Sequence, residues 1–445
     1  MTAANEHDRM PHATAASGRS ETEEPMGETF SLASAGPVVE EWVQESVNVE
    51  VANVAERDGS GEEIPVELRL PTFPVPWRHP IRATIWTVRS LFGLVSLLLL
   101  LAIVAAIPIV NFVALGYLLE VEGRVGRSGR MRDAFPLMAL APRFGSIMLG
   151  VWLWLIPLRL LAGAASDARL IDPGSSSDMT LHLVLNVMWV LVTVHLCLAL
   201  ARGGSLSCFF RPIKNARWLW QRLKAGDYLD MASRHVRSFV SGLQLKHHFW
   251  LGLRGFIGGL AWLLIPTAIF AVNDDADGPQ VGAAMIGGFL LAMTLSWMPF
   301  LQARFATEQR LRSMFHLRTI RRLFKHAPLA WLLAIAVVYV LALPLYLLKV
   351  ALLPQDAYWL ITLIFIASIY PAKVVAGWAY HRAVQREAAG ELSWWVWRWL
   401  ARLGMVPLLG AFAFLLYFTQ FIGAHGSAGL FEHHAFLLPW PGQPG

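Results

Sequence analysis

The sequence predicts an all-α, polytopic transmembrane helical bundle. Three observations carry that prediction. The 445-residue chain is 56% hydrophobic and only 15% charged, against the ~25% charged typical of globular domains. Its mean hydropathy is +0.48. The apolar residues sit in long unbroken blocks, not in periodic stripes, which excludes an ordinary soluble enzyme, a disulfide-rich secreted domain and a collagen-like chain.

Residues 1–75 hold 15 Asp/Glu against 4 Lys/Arg. They carry no apolar run able to offset the entropy of ordering, so a disordered acidic tail is expected there. No basic segment leads directly into an apolar core, so no cleavable signal peptide is expected. The Pro-rich stretch from Leu70 to Trp77 forms a stiff, extended entry to the apolar part.

The transmembrane domain is expected over residues 76–423, with a short outward-facing tail at 424–445. A bilayer core of ~30 Å needs ~20 apolar residues in a helix. The blocks are Leu91–Leu119, Ser146–Ala165, Met179–Ala201, Phe249–Val272, Gln280–Ala303, Leu329–Leu353, Ala357–Tyr380 and Leu403–Gly423. Seven have ordinary lengths. The first would span ~43 Å as one helix and contains Pro108 and Asn111. It is either a tilted, kinked helix or a re-entrant hairpin of two shorter helices. Arg78, Arg82 and Arg89 precede it and a basic loop follows it. Bases on both sides favour the hairpin.

Charge in the loops orients the spans. Loops 120–145, 202–248, 304–328 and 382–402 carry an excess of bases, whereas 166–178, 273–279 and 354–356 carry an excess of acids. This alternation is the positive-inside pattern. It predicts a multi-pass protein of a cell membrane, with the basic loops cytoplasmic and the C-terminus outside. The same retention of bases explains a pI near 9.5, and no nucleic-acid motif accompanies the charge. No nucleic-acid partner is expected.

No catalytic signature of the phosphate-binding, dinucleotide, zinc-protease or serine-elbow kind is present. Cys197 and Cys208 match no metal spacing. Asp274, Asp275 and Asp277 lack a closing Glu for a calcium loop, and Glu432-His433-His434 reads as a polar tail. No cofactor, metal or enzymatic activity is expected. No internal repeat is evident.

Polar groups inside the blocks are the remaining candidates, because intramembrane ionisable residues mark functional sites by default. His182, Asn186, Thr193 and Cys197 fall within about 60° on one helix face; helix packing is the competing explanation of such a stripe. Asn111 lies in the broken first block. Arg159 and Lys373 are the deepest bases, and no carboxylate is expected within the spans to pair with them. Glycines at 252, 255, 258 and 259, and Ala284 with Gly288, suit close internal helix packing.

Two cytoplasmic segments are amphipathic. In one, Leu311, Met314, Leu317, Ile320 and Phe324 oppose Arg318, Arg321, Arg322 and Lys325. In the other, Trp218, Trp220 and Leu223 interleave with Arg217, Arg222 and Lys224. Both suit contact with anionic headgroups; a helical extension of the adjacent span is the alternative. Trp394, Trp395, Trp397 and Trp399 suit an aromatic belt.

Ile107-Pro108-Ile109-Val110, Gly116-Tyr117-Leu118-Leu119 and the basic run through Arg124, Arg127 and Arg130 to Pro136 resemble the opening of a bacterial membrane-protein family, domain of unknown function 4013. Asn111 departs from the small residue expected after the Ile-Pro turn. The resemblance implies a multi-span bacterial membrane protein of unassigned activity and no site residues.

The expected function is that of a non-enzymatic membrane protein. Its basic cytoplasmic face and acidic tail would contact anionic lipid or partner proteins. A small-solute or anion transporter or channel is the alternative; a membrane-embedded enzyme ranks third.

Overall fold

The computed structural model describes residues 80–422, apart from Ala139, 272–278 and 351–357. The acidic tail, the Asp274–Asp277 loop and the C-terminal His pair lie outside the described residues. Within them the chain forms thirteen α-helices and no strand. In order they are α1 (Pro80–Ala106), α2 (Asn111–Ser128), α3 (Ala141–Ile171), α4 (Ser176–Ala201) and the single turn α5 (Leu206–Phe209). Then come α6 (Pro212–Ala225), α7 (Tyr228–Gly242), α8 (Leu245–Ala271) and α9 (Pro279–Glu308). The last four are α10 (Leu317–Phe324), α11 (Pro328–Val350), α12 (Tyr358–Ala388) and α13 (Trp395–Ile422).

Eight helices are long and apolar enough to cross a membrane. Their outward surfaces are apolar: Leu160, Leu183, Ile265 and Phe414 each expose more than three-fifths of their area. A water-soluble protein rarely exposes so much apolar surface. In a bilayer that surface meets acyl chains at no cost.

The first block is a helical hairpin. Pro108 lacks an amide donor and clashes with a continuing helix. Helix α1 stops at Ala106, and Ile109 takes φ +69°, a strained conformation for a β-branched residue. The amide of Asn111 is then caught by the Ile107 carbonyl at 2.9 Å, and α2 begins. Pro142 and Met138, beyond the end of α2, pack on Gly93 in the body of α1. A straight continuation would have carried Pro142 ~70 Å away from Gly93, so the chain has folded back.

Helix α2 is the central element, packed by α8, α9 and α12, with most of its residues buried. Small residues permit this. A Cβ at Gly116 would strike the His248 carbonyl of α8, and one at Gly252 would strike the Phe112 carbonyl of α2. A Cβ at Gly123 would strike Ala306 of α9, and one at Gly377 of α12 would meet the Glu122 carbonyl. Acyl chains are as apolar as Leu, so helix association in a bilayer rests on close packing and hydrogen bonds rather than on expulsion of water. The α8 glycines serve internal packing: Gly255 faces Leu119 and Gly258 faces Met314. Tyr417 covers Gly288 and donates a 2.9 Å hydrogen bond to the Ala284 carbonyl.

The structure contains a repeat that the sequence alone did not disclose. Adding 180 to a residue number in the end of α2 gives its counterpart in the end of α9. Gly129 (φ +69°) corresponds to Gln309 (φ +54°). The Gly129 amide bonds the Val125 carbonyl at 2.7 Å, and the Gln309 amide bonds that of Phe305 at 2.6 Å. Arg130 and Arg310 follow in extended conformation, and each opens a 3-10 turn, Met131–Ala134 and Leu311–Phe315. Arg124/Arg304, Arg132/Arg312, Phe135/Phe315 and Leu137/Leu317 are identical pairs. The residues between are too divergent for the sequence alone to show the repeat.

A Gly116→Ala chain is expected to lose its monodisperse gel-filtration peak, or at least 5 °C of thermal midpoint in detergent. The Cβ meets backbone there, which cannot rotate away. Gly410→Ala, where a Cβ meets nothing within 4 Å, should be neutral or slightly stabilising, since Gly within a helix costs ~0.5–1 kcal/mol relative to Ala. Equal behaviour of the two variants would contradict the packing role.

Candidate functional site

Lys373 lies on α12, two residues after Pro371 and one turn before Gly377. Because Gly377 brings α12 against the Glu122 backbone, the ammonium reaches the carboxylate. Lys373 Nζ donates to Glu122 Oε2 at 2.8 Å and to Gln302 Oε1 at 2.5 Å. All three residues are buried, Glu122 completely. The expectation that no carboxylate would pair with the deep bases therefore fails for Lys373. The apolar block ended at Leu119, which placed Glu122 in a loop, whereas α2 continues as helix to Ser128.

The cluster lines a cavity of about 540 Å³, counting the part that opens outward. Its walls come from α2, α9, α11, α12 and α13, and they are largely apolar: Leu295, Met298, Val338, Ile369 and Phe412 among others. Three buried polar atoms at this cavity have no hydrogen-bond partner: Glu122 Oε1, Gln302 Nε2 and the Tyr339 hydroxyl. Native structures leave few such groups unsatisfied. Glu122 and Gln302 differ by 180 in number, so the two copies of the repeat place corresponding residues on either side of Lys373.

A second polar network secures the end of α2. Glu120 Oε1 accepts from Arg124 and Arg127, each at 3.0 Å, and Oε2 accepts from Gln309 at 3.2 Å. Arg127 also donates to the carbonyls of Ala306 and Thr307, which cap the end of α9. A third chain runs from Tyr117 to Tyr370, with hydroxyls 3.2 Å apart, and on to the Ala134 carbonyl at 2.7 Å. Tyr370 gives its one hydroxyl hydrogen to Ala134, so Tyr117 is the donor to Tyr370.

The remaining sequence candidates lie elsewhere. Asn111 is buried in the first turn of α2, its Oδ1 without a partner. Arg159 is exposed on α3. On α4, Asn186 and Thr193 are exposed and His182 is half-buried, its Nδ1 3.0 Å from Asp178. None of these residues lines the cavity. The buried histidine of α4 is His195, off the polar stripe, bonded to the Phe209 carbonyl at 2.9 Å.

The two amphipathic segments have opposite fates. In α10, Ile320, Leu323 and Phe324 are buried in the main core with Met314. That apolar side is consumed by packing and is not free to enter lipid. Arg318, Arg321, Arg322 and Lys325 all face outward; Arg322 pairs with Glu387 at 2.6 Å, and Arg321 lies over Trp297. In α6 a mixed face turns inward, with Asn215, Trp218, Leu219 and Arg222 its least exposed residues. Asn215 is buried, donates to the Cys208 carbonyl at 2.7 Å and accepts from Arg202 at 3.0 Å. This leaves Ile213, Trp220 and Leu223 exposed, at 83%, 73% and 58%.

Residues 236–353 match the family model described as protein of unknown function (DUF4013). No curated protein and no solved structure is significantly similar to the chain. The DUF4013 match covers about a quarter of the chain, from the end of α7 through α11. It includes Gln302 and Tyr339 but neither Glu122 nor Lys373. The resemblance read at 107–136 lies outside it.

Lys373→Met leaves the Glu122 carboxylate buried without its cation. Breaking such a pair costs ~3–5 kcal/mol, so a large fall in thermal midpoint is expected. Glu122→Gln combined with Lys373→Met removes both charges and should recover at least half of the loss. Thermal gel filtration of the purified chain in detergent measures both. A double variant no better than the single would show that the pair is not an isolated ionic interaction.

Proposed function

We propose that the chain is a non-enzymatic, multi-pass membrane protein that holds anionic lipid at one face through α6 and α7. The observation that carries this reading is the outward apolar face of α6. On a helical projection Ile213, Ala216, Trp220 and Leu223 span about 80°, with Arg217 and Lys224 along one edge. Exposed Leu229, Val236 and Val240 span about 40° on α7, with Arg234 and Arg237 also exposed. Apolar residues in the acyl boundary with bases at headgroup level define an interfacial helix. Each base near an anionic surface contributes ~1 kcal/mol.

The charge alternation of the loops supports a cytoplasmic position for α6, α7 and α10. On that reading, with the hairpin at Pro108, the start of α1 shares the cytoplasmic face, and the charge alternation favours an outward-facing C-terminal tail. The exposed Trp394, Trp395, Trp397 and Trp399 at the start of α13 suit the same interface. The inner membrane of a bacterium is the setting that the family resemblance favours. The transporter alternative draws no support from the α4 stripe, which contributes nothing to the cavity.

Replacing Lys214, Arg217, Lys224, Arg234 and Arg237 together by Gln should cut retention of phosphatidylglycerol at least tenfold. Native mass spectrometry of the full chain from mixed nanodiscs reads this directly. Spin labels at Ile213→Cys and Trp220→Cys, in a background lacking Cys197 and Cys208, should report a depth below the phosphates. Unchanged lipid retention together with labels in water would sink the reading.

A further inference from the structure

The buried cavity beside Lys373 offers a site of a different kind, independent of the lipid-facing helices. We propose that it binds an uncharged amphiphile, with a hydroxyl or amide head seated between Glu122 and Gln302 and an apolar body along α9, α11 and α12.

The head group follows from what the cavity lacks. Glu122 Oε1 needs a donor, Gln302 Nε2 needs an acceptor, and the Tyr339 hydroxyl needs a partner of either kind. A hydroxyl or a primary amide supplies donor and acceptor from one small group. Its neutrality follows from the charges already present. Lys373 and Glu122 balance each other, so a charged ligand would leave a net buried charge, which is costly. The apolar body follows from the lining, where Leu295, Met298, Val338, Ile369 and Phe412 surround the few polar atoms.

The repeat supplies a further argument. Many transporters built from internal repeats place their binding sites where the repeats meet. Glu122 and Gln302 hold corresponding positions in the two copies, and the cavity lies where those positions come together. One copy carries the acceptor-only carboxylate and the other an amide that also donates. A polar group between them is bonded from both sides.

The test uses the full chain in nanodiscs of neutral lipid, with a diazirine-bearing 1-decanol as probe. Crosslinks are expected on α9, α11 and α12 at the cavity, and excess 1-decanol should suppress them. Gln302→Met keeps the length of the side chain without its hydrogen-bonding amide and should lower labelling at least fivefold. Val338→Trp fills the cavity and should abolish labelling, with gel filtration confirming that both variants fold. Decyl sulfate and decyltrimethylammonium should fail to compete. Competition by butyramide added from water would identify a water-borne ligand; competition by decanol alone would identify a bilayer-borne one. Either result supports the proposal. Labelling confined to outward residues such as Leu160 and Phe414 would overturn it, as would indifference to both substitutions or equal competition by the charged amphiphiles.

Discussion

A Cβ at Gly116 would fall on the carbonyl of His248, and a Cβ at Gly377 on that of Glu122. Without those two missing atoms, α8 and α12 could not lie against α2 as they do. In water, burial of apolar area would help to draw the helices together; in a bilayer the surroundings are equally apolar, and contact must come from close fit. The fit has a chemical consequence. It seals a helix bearing Glu120 and Glu122 inside the bundle. Each carboxylate then needs partners, which α2 itself and the residues around it supply. Glu120 obtains Arg124, Arg127 and Gln309. Glu122 obtains Lys373 at one oxygen only. The unpartnered oxygen and the cavity beside it thus follow from how tightly α2 is held.

The repeat gives this arrangement a simple origin in geometry. A helix, a left-handed residue, an extended Arg and a 3-10 turn occur at the end of α2 and again at the end of α9. The first copy meets α12 through glycine; the second reaches the same lysine through Gln302. The copies have also diverged in the left-handed position. Gly129 adopts φ +69° freely, and a Cβ there would strike His381. Gln309 bears the cost of the same conformation while its side chain bonds Glu120 at 3.2 Å. The second copy therefore helps to secure the first.

Amphipathic pattern alone does not say which face of a helix meets protein. α10 and α6 both mix bases with large apolar residues, and both follow a membrane-crossing helix. α10 is short and lies on the main core, where Met314, Ile320 and Leu323 find Phe324 and Trp331 around them. α6 is held by a polar residue, Asn215, that bonds the turn after α4. Its other face, with Ile213, Trp220 and Leu223, is turned outward. A helix projection gives the same answer for both segments, because it records the faces and not the neighbours.

The existence of the spanning helices and the break at Pro108 were legible in the sequence, because both follow from local chemistry. Twenty apolar residues suit a bilayer whatever they touch, and Pro108 withholds the amide that a continuing helix would use, although Pro157, Pro266, Pro299, Pro344, Pro371 and Pro407 stand inside helices. The small-residue faces of α8 and α9 were legible for the same reason. Lys373 was legible as a deep base. Its partners were not, because Glu122 and Gln302 lie 251 and 71 residues away along the chain. Glu122 was further disguised by its position just past an apolar block, where charge density resembles that of a loop. Composition and spacing thus determined which segments are helices and how they alternate across a membrane. Only the tertiary structure decided which polar groups share a cavity and which apolar faces stay uncovered. Those outcomes depend on sub-ångström backbone fit between distant helices, and no local pattern encodes it.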